Sequence, residues 1–503
     1  MKTSFLIPVS LLIIFCHCTT TQAQSISGVV NSFYKVNAIN TATNTLTLDN
    51  TTGLVPGAKV LVIQMKGASI DNSNSLAFGN ITSINQAGNY EFNYLCTIMG
   101  NDVLLQFKIL KTYDPLQPVQ LVTVPVYTSV TITDTLTTVS WDPVTGKGGV
   151  VTLEASDTLF MNSGIEVSGK GFQGGALMNY PIPPYNCNFI NITDYFLSVP
   201  TSDAFHSGGK KGEGIANYIA NAEWGRGKQS SGGGGGNNNN TGGGGGGNYS
   251  AGGDGGQRIF ESAFSCHGKA PGLGGLALSA YGYSVGMNRI FMGGGGGSGH
   301  ENNGVGLPGG NGGGIVILSA PVIMGAASFI LANGVSPINP TNSNPLVAEG
   351  DGGGGGGGAG TIVINAGKIV GSIRAEAKGA RGADASNGVP DCTGPGGGGG
   401  GGIVWVAGAS FPAAITASIN GGNNGVVSVN SSKVPSCVGS SNGATPGGNG
   451  ITLTGYVAPS ASVSVCTVLP VSDLEYFKGN LRTDGAELLW SVSGTNDIAY
   501  FQL

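Results

Sequence analysis

Charge is scarce in this chain. Asp, Glu, Lys and Arg together make up 10% of its 503 residues, and nothing concentrates Lys and Arg. That excludes the basic face of a nucleic-acid or anionic-lipid binder. Histidine is rarer still, with four in all. No C-x-x-C or paired-His spacing offers zinc a site, and no G-K-[ST] phosphate loop is present. Helical periodicity is missing from about Ser25 to Trp141. The one long apolar run, Phe5–Phe15, is too short to cross a bilayer, so membrane insertion of the mature chain is not expected.

That run reads instead as the core of an export signal over residues 1–23. Lys2 supplies the basic start and Thr21-Gln22-Ala23 the small-residue exit. Cys16 and Cys18 lack the small residues that precede a lipidated cysteine. Without Lys2 the balance is 21 basic to 27 acidic residues, a net charge of −6. Six cysteines remain, Cys96, Cys187, Cys266, Cys392, Cys437 and Cys466. An even number in an exported chain points to disulfides, though six cysteines permit 15 pairings. Cys187 with Cys266 and Cys392 with Cys437 would each clamp a long glycine-rich excursion, stabilising by roughly 4 kcal/mol apiece in the loop-entropy account.

What the chain has is glycine, 92 residues of it. The period is not that of collagen, and the plentiful Val and Ile are not those of a disordered tract. Five runs stand out: Gly232–Gly236, Gly242–Gly247, Gly293–Gly297, Gly352–Gly358 and Gly396–Gly402. Three of the five lie upstream of short β-type segments, directly or after a further Gly-rich stretch: Ile315–Leu318, Thr361–Ile364 and Ile403–Val406. A two-part phrase recurs. Val150–Ala155 with Ile165–Gly171 returns as Ile315–Ala320 with Phe329–Gly334, then as Thr361–Ala366 with Ile373–Gly379, and again as Ile403–Ala407 with Ile415–Gly421. Ile451-Thr452-Leu453 reads as a terminal half-copy. Two strands per copy cannot bury a core alone, so the copies must stack.

The expected fold is all-β. Residues 24–145 read as an N-terminal β-sandwich-like domain of short strands, with an open barrel as the other solution. Residues 146–458 read as a stacked-strand, solenoid-like repeat, interrupted by an insertion over 172–310. Within it the glycine runs are expected to form polyglycine-II helices, which rise about 3.1 Å per residue and pack closely for want of any Cβ. A flexible linker is the alternative for such runs.

The glycine run, strand and I-x-A-x-G phrase resemble the glycine-rich β-solenoid repeats of secreted bacterial surface proteins. The runs are similar to the glycine-rich ectodomain region of the anaplastic lymphoma kinase receptor. Over 468–503, Leu469-Pro470-Val471, Leu474, Phe477, Gly479 and Glu487–Ser491 resemble the opening strands of a fibronectin-III-like module. Such a module often precedes the sorting domain in cargo of the type IX secretion system, and the resemblance implies that route of export. Leu488 and Trp490 would be core residues of its strand. Asp134-Thr135-Leu136 and Asp157-Thr158-Leu159 resemble the short O-glycosylation acceptor of organisms with that system.

Catalytic readings are thin. Gly304-Val305-Gly306-Leu307-Pro308-Gly309 matches G-x-G-x-x-G, but a dinucleotide fingerprint needs a strand before it and a helix after it. Gly439-Ser440-Ser441-Asn442-Gly443 matches G-x-S-x-G without a strand–helix elbow, and only His206, His267 and His300 remain in the mature chain as bases. Glu349 with Asp351, and Asp254, are read as solvated loop acids before a glycosidase pair or a structural Ca²⁺ site. Arg374 and Glu376 are expected to point outward as a soluble stripe. Trp224, Tyr249, Tyr281 and Tyr283 are candidate ligand-contact aromatics, able to stack on sugars, though each could equally anchor a loop to the stack. The function expected is a secreted, non-catalytic cell-surface adhesin or scaffold without cofactor or metal. Its partner would be an extracellular glycan, a cell-surface protein or a second copy of itself. A β-helix polysaccharide-degrading enzyme and a self-assembling filament subunit are the alternatives.

Overall fold

The computed structural model describes residues 23–177, 194–197, 208–237, 239–260, 268–284, 286–301, 306–338, 347–386, 391–428, 437–460, 462–466, 474–482 and 485–492. Every regular element among them is a β-strand. All but the last residue of the export signal lies outside this set, as do Cys187, Cys266, His206 and His267.

Strand β1 (Gln24–Val29) leads into β2 (Phe33–Asn40), β3 (Thr45–Leu48) and β4 (Lys59–Gln64). After a small hairpin of β5 (Ser69–Ile70) and β6 (Ile81–Ser83) come β7 (Tyr90–Met99), β8 (Asp102–Leu105) and β9 (Val119–Thr123). Six of these close in the order β2-β3-β8-β7-β4-β9, so the sandwich expected here is a barrel. Closure follows because β2 pairs with β3 on one side and with β9 on the other, through Phe33 opposite Val122. No free edge remains in such a ring. Strand β4 shows how the barrel is tied to the rest. Val60 and Val62 point into the barrel core with Val36, Leu46 and Leu121. Leu61 and Ile63, on the alternate face, pack in a second core with Ile315, Ile317 and Val363.

Those last residues belong to a parallel sheet. Its strands are β1, β10 (Val126–Thr137), β11 (Val150–Met161), β14 (Ile315–Leu331), β16 (Thr361–Glu376), β19 (Ile403–Val406) and β21 (Ile451–Leu453), in that spatial order. Short β12 (Ile165–Glu166) and β20 (Ile415–Ser418) complete it. Two strands from the 24–145 stretch, β1 and β10, thus lie in the sheet that carries the repeat. The recurring phrases are neighbours in register: Val150 pairs with Ile315, Ile315 with Thr361, Thr361 with Ile403, and Ile403 with Ile451. One face of these rungs carries Val151, Val316, Ile362 and Val404 into the first core. The other carries Val150, Ile315, Val363 and Trp405 into the second. A sheet buried on both faces needs continuous apolar segments rather than alternation, which is why the rungs read Ile-Val-Ile-Leu and Ile-Val-Trp-Val.

Outlying pairs are β13 (Ile259–Phe260) with β18 (Asp391–Cys392), and β15 (Val347–Glu349) with β17 (Asp384–Ser386). The chain's last described strands, β22 (Leu474–Arg482) and β23 (Gly485–Val492), form one antiparallel hairpin.

The glycine runs are bonded with a period of three. Gly242 and Gly245 donate to Gly256 and Gly253, Gly243 and Gly246 to Gly353 and Gly356, and Gly244 and Gly247 to Gly234 and Ser231. The same run accepts from three further segments: from Gly272 and Gly275, from Gly397 and Gly400, and from Gly297 and Gly294. Gly242–Gly247 therefore has six bonded neighbours around it and is buried along its whole length. Gly396–Gly402 repeats the rule, donating in turn to 383, 380 and 377, to 243 and 246, and to 445 and 448. Every third residue faces the same neighbour, so a backbone with no side chains fills all its hydrogen bonds without a sheet.

Among the described residues, two disulfides brace this body. Cys392 joins Cys437, as read from the sequence, and closes the loop beside β18. Cys96 of β7 joins Cys466 across 370 residues, fastening the segment after the repeat to the barrel.

Candidate functional site

Barrel and glycine bundle meet at a buried ion pair. Lys66, two residues past β4, places its Nζ 2.5 Å from Glu213 Oε1, with side chains only 5% and 4% exposed. The ammonium also lies over the rings of Trp141, Phe172 and Tyr218 at 5.9, 5.3 and 5.9 Å. The second Glu213 oxygen accepts from Gln173 N at 3.0 Å, so the pair is paired on both sides, as burial requires. A second sealed lysine sits nearby. Lys211 Nζ donates to the carbonyls of Tyr195, Gly225 and Gly227 at 2.7, 3.0 and 2.6 Å and lies 4.6 Å from the Phe78 ring centre. Burial holds its ammonium well below the usual lysine range. Both lysines are joints of the scaffold, and no local pattern in the sequence marks either one.

One end of the bundle carries titratable groups. Asp351, read as a solvated loop acid, is wholly buried, because Gly352 directly after it enters the bundle by donating to His300 O. Glu349 lies in β15, whereas Asp254 stays exposed and accepts from Gly274 N at 2.7 Å. His300 Nδ1 accepts from Asn240 N at 3.1 Å. Burial, and then the nearby Arg258 charge, pulls its imidazole down to about 4. Burial, and then the Asp351 charge, pushes the Glu301 carboxyl up to about 7.

These two shifts bear on stability with opposite sign. Glu301 binds its proton more tightly in the folded chain, so its contribution is full below the ordinary value of 4.5 and is lost as pH rises to about 7. His300 binds its proton more weakly when folded, so stability declines as pH falls from 6.5 toward about 4. Over the range from about 4.5 to 6.5 the two contributions oppose each other. In Glu301→Gln the histidine acts alone, and the melting temperature should fall a few degrees more than wild type as pH goes from 6.5 to 4.5. Calorimetry at stepped pH measures this; parallel profiles would refute the pair of shifts.

Of the outward stripe expected, Arg374 is exposed, its side chain 51% accessible, whereas Glu376 is not. Glu376 is buried, bonded by Arg374, by Lys378 Nζ at 2.7 Å and by Asn333 Nδ2 at 3.2 Å. Burial alone would raise its carboxyl, but those three partners outweigh it and hold it below the usual range. The strand places Ala375 in the first core, and Glu376, its last residue, is covered by its bonds to Arg374, Lys378 and Asn333.

Of the four candidate aromatics, Trp224 and Tyr283 are interior. Trp224 lies under Lys210, whose Nζ is 5.3 Å from the ring centre. Tyr283 packs edge-on against Phe291 at 5.4 Å and bonds Asn248 and Thr361 through its hydroxyl. Tyr249 is half-buried against Tyr283, ring centres 6.1 Å apart. Tyr283, with Tyr249 against it, anchors the insertion to the sheet through Thr361 of β16, whereas Trp224 packs within the insertion, bridged to Leu197 and Lys210. Tyr281 differs. It lines an open cleft of about 430 Å³ between the barrel's 84–89 and 110–112 segments and the 281–289 loop.

Both walls of that cleft are held from behind. Glu91, buried in the barrel, accepts from Leu110 N and Lys111 N at 2.9 and 2.6 Å. Burial raises its carboxyl despite those bonds. Asn89 Nδ2 donates to Thr112 O at 2.8 Å, and Asn85 Nδ2 to Gly67 O at 2.8 Å. Opposite, Arg289 Nη1 donates to Ala87 O at 2.8 Å. The neighbouring Asn288 receives the Tyr90 hydroxyl at 2.7 Å and donates to Val457 O at 2.7 Å. The two sides approach closely because Gly88 has no side chain, and a Cβ there would fall 2.3 Å from the Phe291 ring.

The motif matches resolve as structure. Gly306–Gly309 of the G-x-G-x-x-G match lies in the bundle, with Gly309 N bonded to Gly175 O; Gly304 and Val305 lie outside the described residues. Gly439–Gly443 is a turn beside Cys437 in which Asn442 N bonds Ser440 Oγ at 3.1 Å. Thr158 is buried in β11 and Thr135 is half-buried in β10, so the folded chain offers at most the second as a glycan acceptor. Among the described residues no cluster of three His, Cys, Asp or Glu side chains is placed to hold a metal. No described helix is long and apolar enough to cross a membrane. No protein family, curated protein or solved structure matches the chain.

Proposed function

We infer that the chain is a secreted, non-catalytic extracellular scaffold or adhesin whose glycine runs act as polyglycine-II helices in a rigid bundle. The observation that carries this is the six-fold bonding of Gly242–Gly247. A tether needs no such partners, and ordering glycine costs roughly 0.5–1 kcal/mol more per residue than alanine, which only dense packing offsets. The in-register rungs act as a solenoid-like stack that pins the bundle along one side. The hairpin β22–β23 fits the start of a fibronectin-III-like spacer, and with the apolar N-terminal segment it supports export by the type IX route to the cell surface. Low charge and a backbone bonded throughout suit a body that must endure outside the cell.

Hydrogen exchange tests the reading. Amides of residues 232–236, 242–247 and 352–360 in the native protein should show protection factors above about 10³, the range of cooperatively closed structure rather than of mobile loops. Exchange at the rate of free peptide would leave the runs as linkers and remove the scaffold function with them.

A further inference from the structure

The cleft beside Tyr281 has a chemistry the scaffold does not need. None of its ten lining residues is acidic, and two, Lys111 and Arg289, are cationic. Among the described residues no carboxylate forms an ion pair with either. In a chain with a net charge of −5, two cations sharing one recess without a carboxylate is a local reversal of sign. The remaining lining includes Tyr281, half-buried, and the amides of Gln86 and Asn89. Cations for an acid, amides for hydroxyls and a phenol ring for an apolar face make up the group types that recognise a charged sugar. The cleft volume, about 430 Å³, lies within the roughly 300–1,000 Å³ of small-molecule sites. Its walls are fixed in advance by Glu91, Asn89 and the Arg289 bond to Ala87, so little ordering would be lost on binding.

We propose that this cleft binds a carboxylated sugar unit of an extracellular polysaccharide, with the acid on Lys111 and Arg289 and one sugar face on Tyr281. The assignment names a ligand class for the adhesin part of the reading above. It stands on residues outside the bundle, so fast exchange in the glycine runs and absence of binding here are separate failures.

The test is calorimetric titration of the mature protein at about 50 mM salt with three probes of like length: oligogalacturonate, a sulfated oligosaccharide and a neutral maltooligosaccharide. Oligogalacturonate should bind at least tenfold tighter than the neutral chain, and binding should weaken as salt is raised to about 0.5 M. Lys111→Ala and Tyr281→Ala should each lose at least tenfold at unchanged melting temperature, while Lys368→Ala, on the exposed part of β16, should bind as wild type. Equal binding of the neutral chain, no loss in Lys111→Ala, or no binding of any probe at about 10 mM would overturn the site. Tighter binding of the sulfated chain would overturn the carboxylate assignment.

Discussion

Gly245→Ala is expected to prevent folding, or to cost about 3 kcal/mol or more if the chain folds at all. The added Cβ would stand 2.0 Å from Gly398 O and 2.5 Å from Gly398 C, and neither atom is the end of a side chain that can swing away. Gly398 is itself bonded into the bundle, its carbonyl accepting from Gly253 and its amide donating to Thr445 O, so relief means moving its segment away from the central run and straining both of those bonds. Overpacking in an ordinary core costs about 1–3 kcal/mol; here the obstacle is backbone, which places this change at or beyond the upper end. Backbone conformation is not the cause, because no glycine of the five runs has a left-handed φ. Gly286→Ala is the matched control: nothing lies within 4 Å of its Cβ position, and it should change stability by less than about 0.5 kcal/mol. Denaturant melts of the two variants decide the matter. A Gly245→Ala protein that unfolds with the wild type would mean the runs are not packed as described.

Lys66→Ala should cost about 3–5 kcal/mol. It strands the Glu213 carboxylate, 4% exposed, and removes the ammonium from three aromatic rings at once. Glu213→Gln in the same background should recover much of the loss, since an amide still accepts from Gln173 N and carries no charge to bury. A double-mutant cycle on equilibrium unfolding measures the coupling. A single-mutant cost below about 1 kcal/mol would show that the barrel docks on the bundle through Leu61, Ile63 and the backbone bond from Gly67 N to Ile215 O without help from the pair.

Some of this was legible in the residues. Ile315–Leu318, Thr361–Ile364 and Ile403–Val406 are β-branched, unbroken by polar residues and similarly placed after glycine. Those properties are local, and they suffice to define strands buried on both faces. Cys392 and Cys437 flank one glycine-rich excursion, which made their pairing a candidate, although Cys466 lies nearer to Cys437 along the chain and pairs with Cys96 instead. Asp351 and Glu376 misled for a physical reason: acids in glycine loops and on short alternating strands are ordinarily solvated, and only the packing of other segments over them makes them interior. Tyr281 and Tyr283 are two residues apart in sequence, yet one lines a cleft and the other is sealed behind Phe291 and Asn248.

Residue order alone specifies the all-β character, the repeated strands and the positions where backbone must pass backbone without a side chain between. Only in the folded chain does it emerge which six segments surround Gly242–Gly247, that the first strands close into a ring, that Cys96 reaches Cys466, and that Lys66 meets Glu213. Each of those depends on partners tens to hundreds of residues away, chosen by the whole chain's need to satisfy its backbone hydrogen bonds at once. A glycine run carries no side chain with which to specify its neighbour.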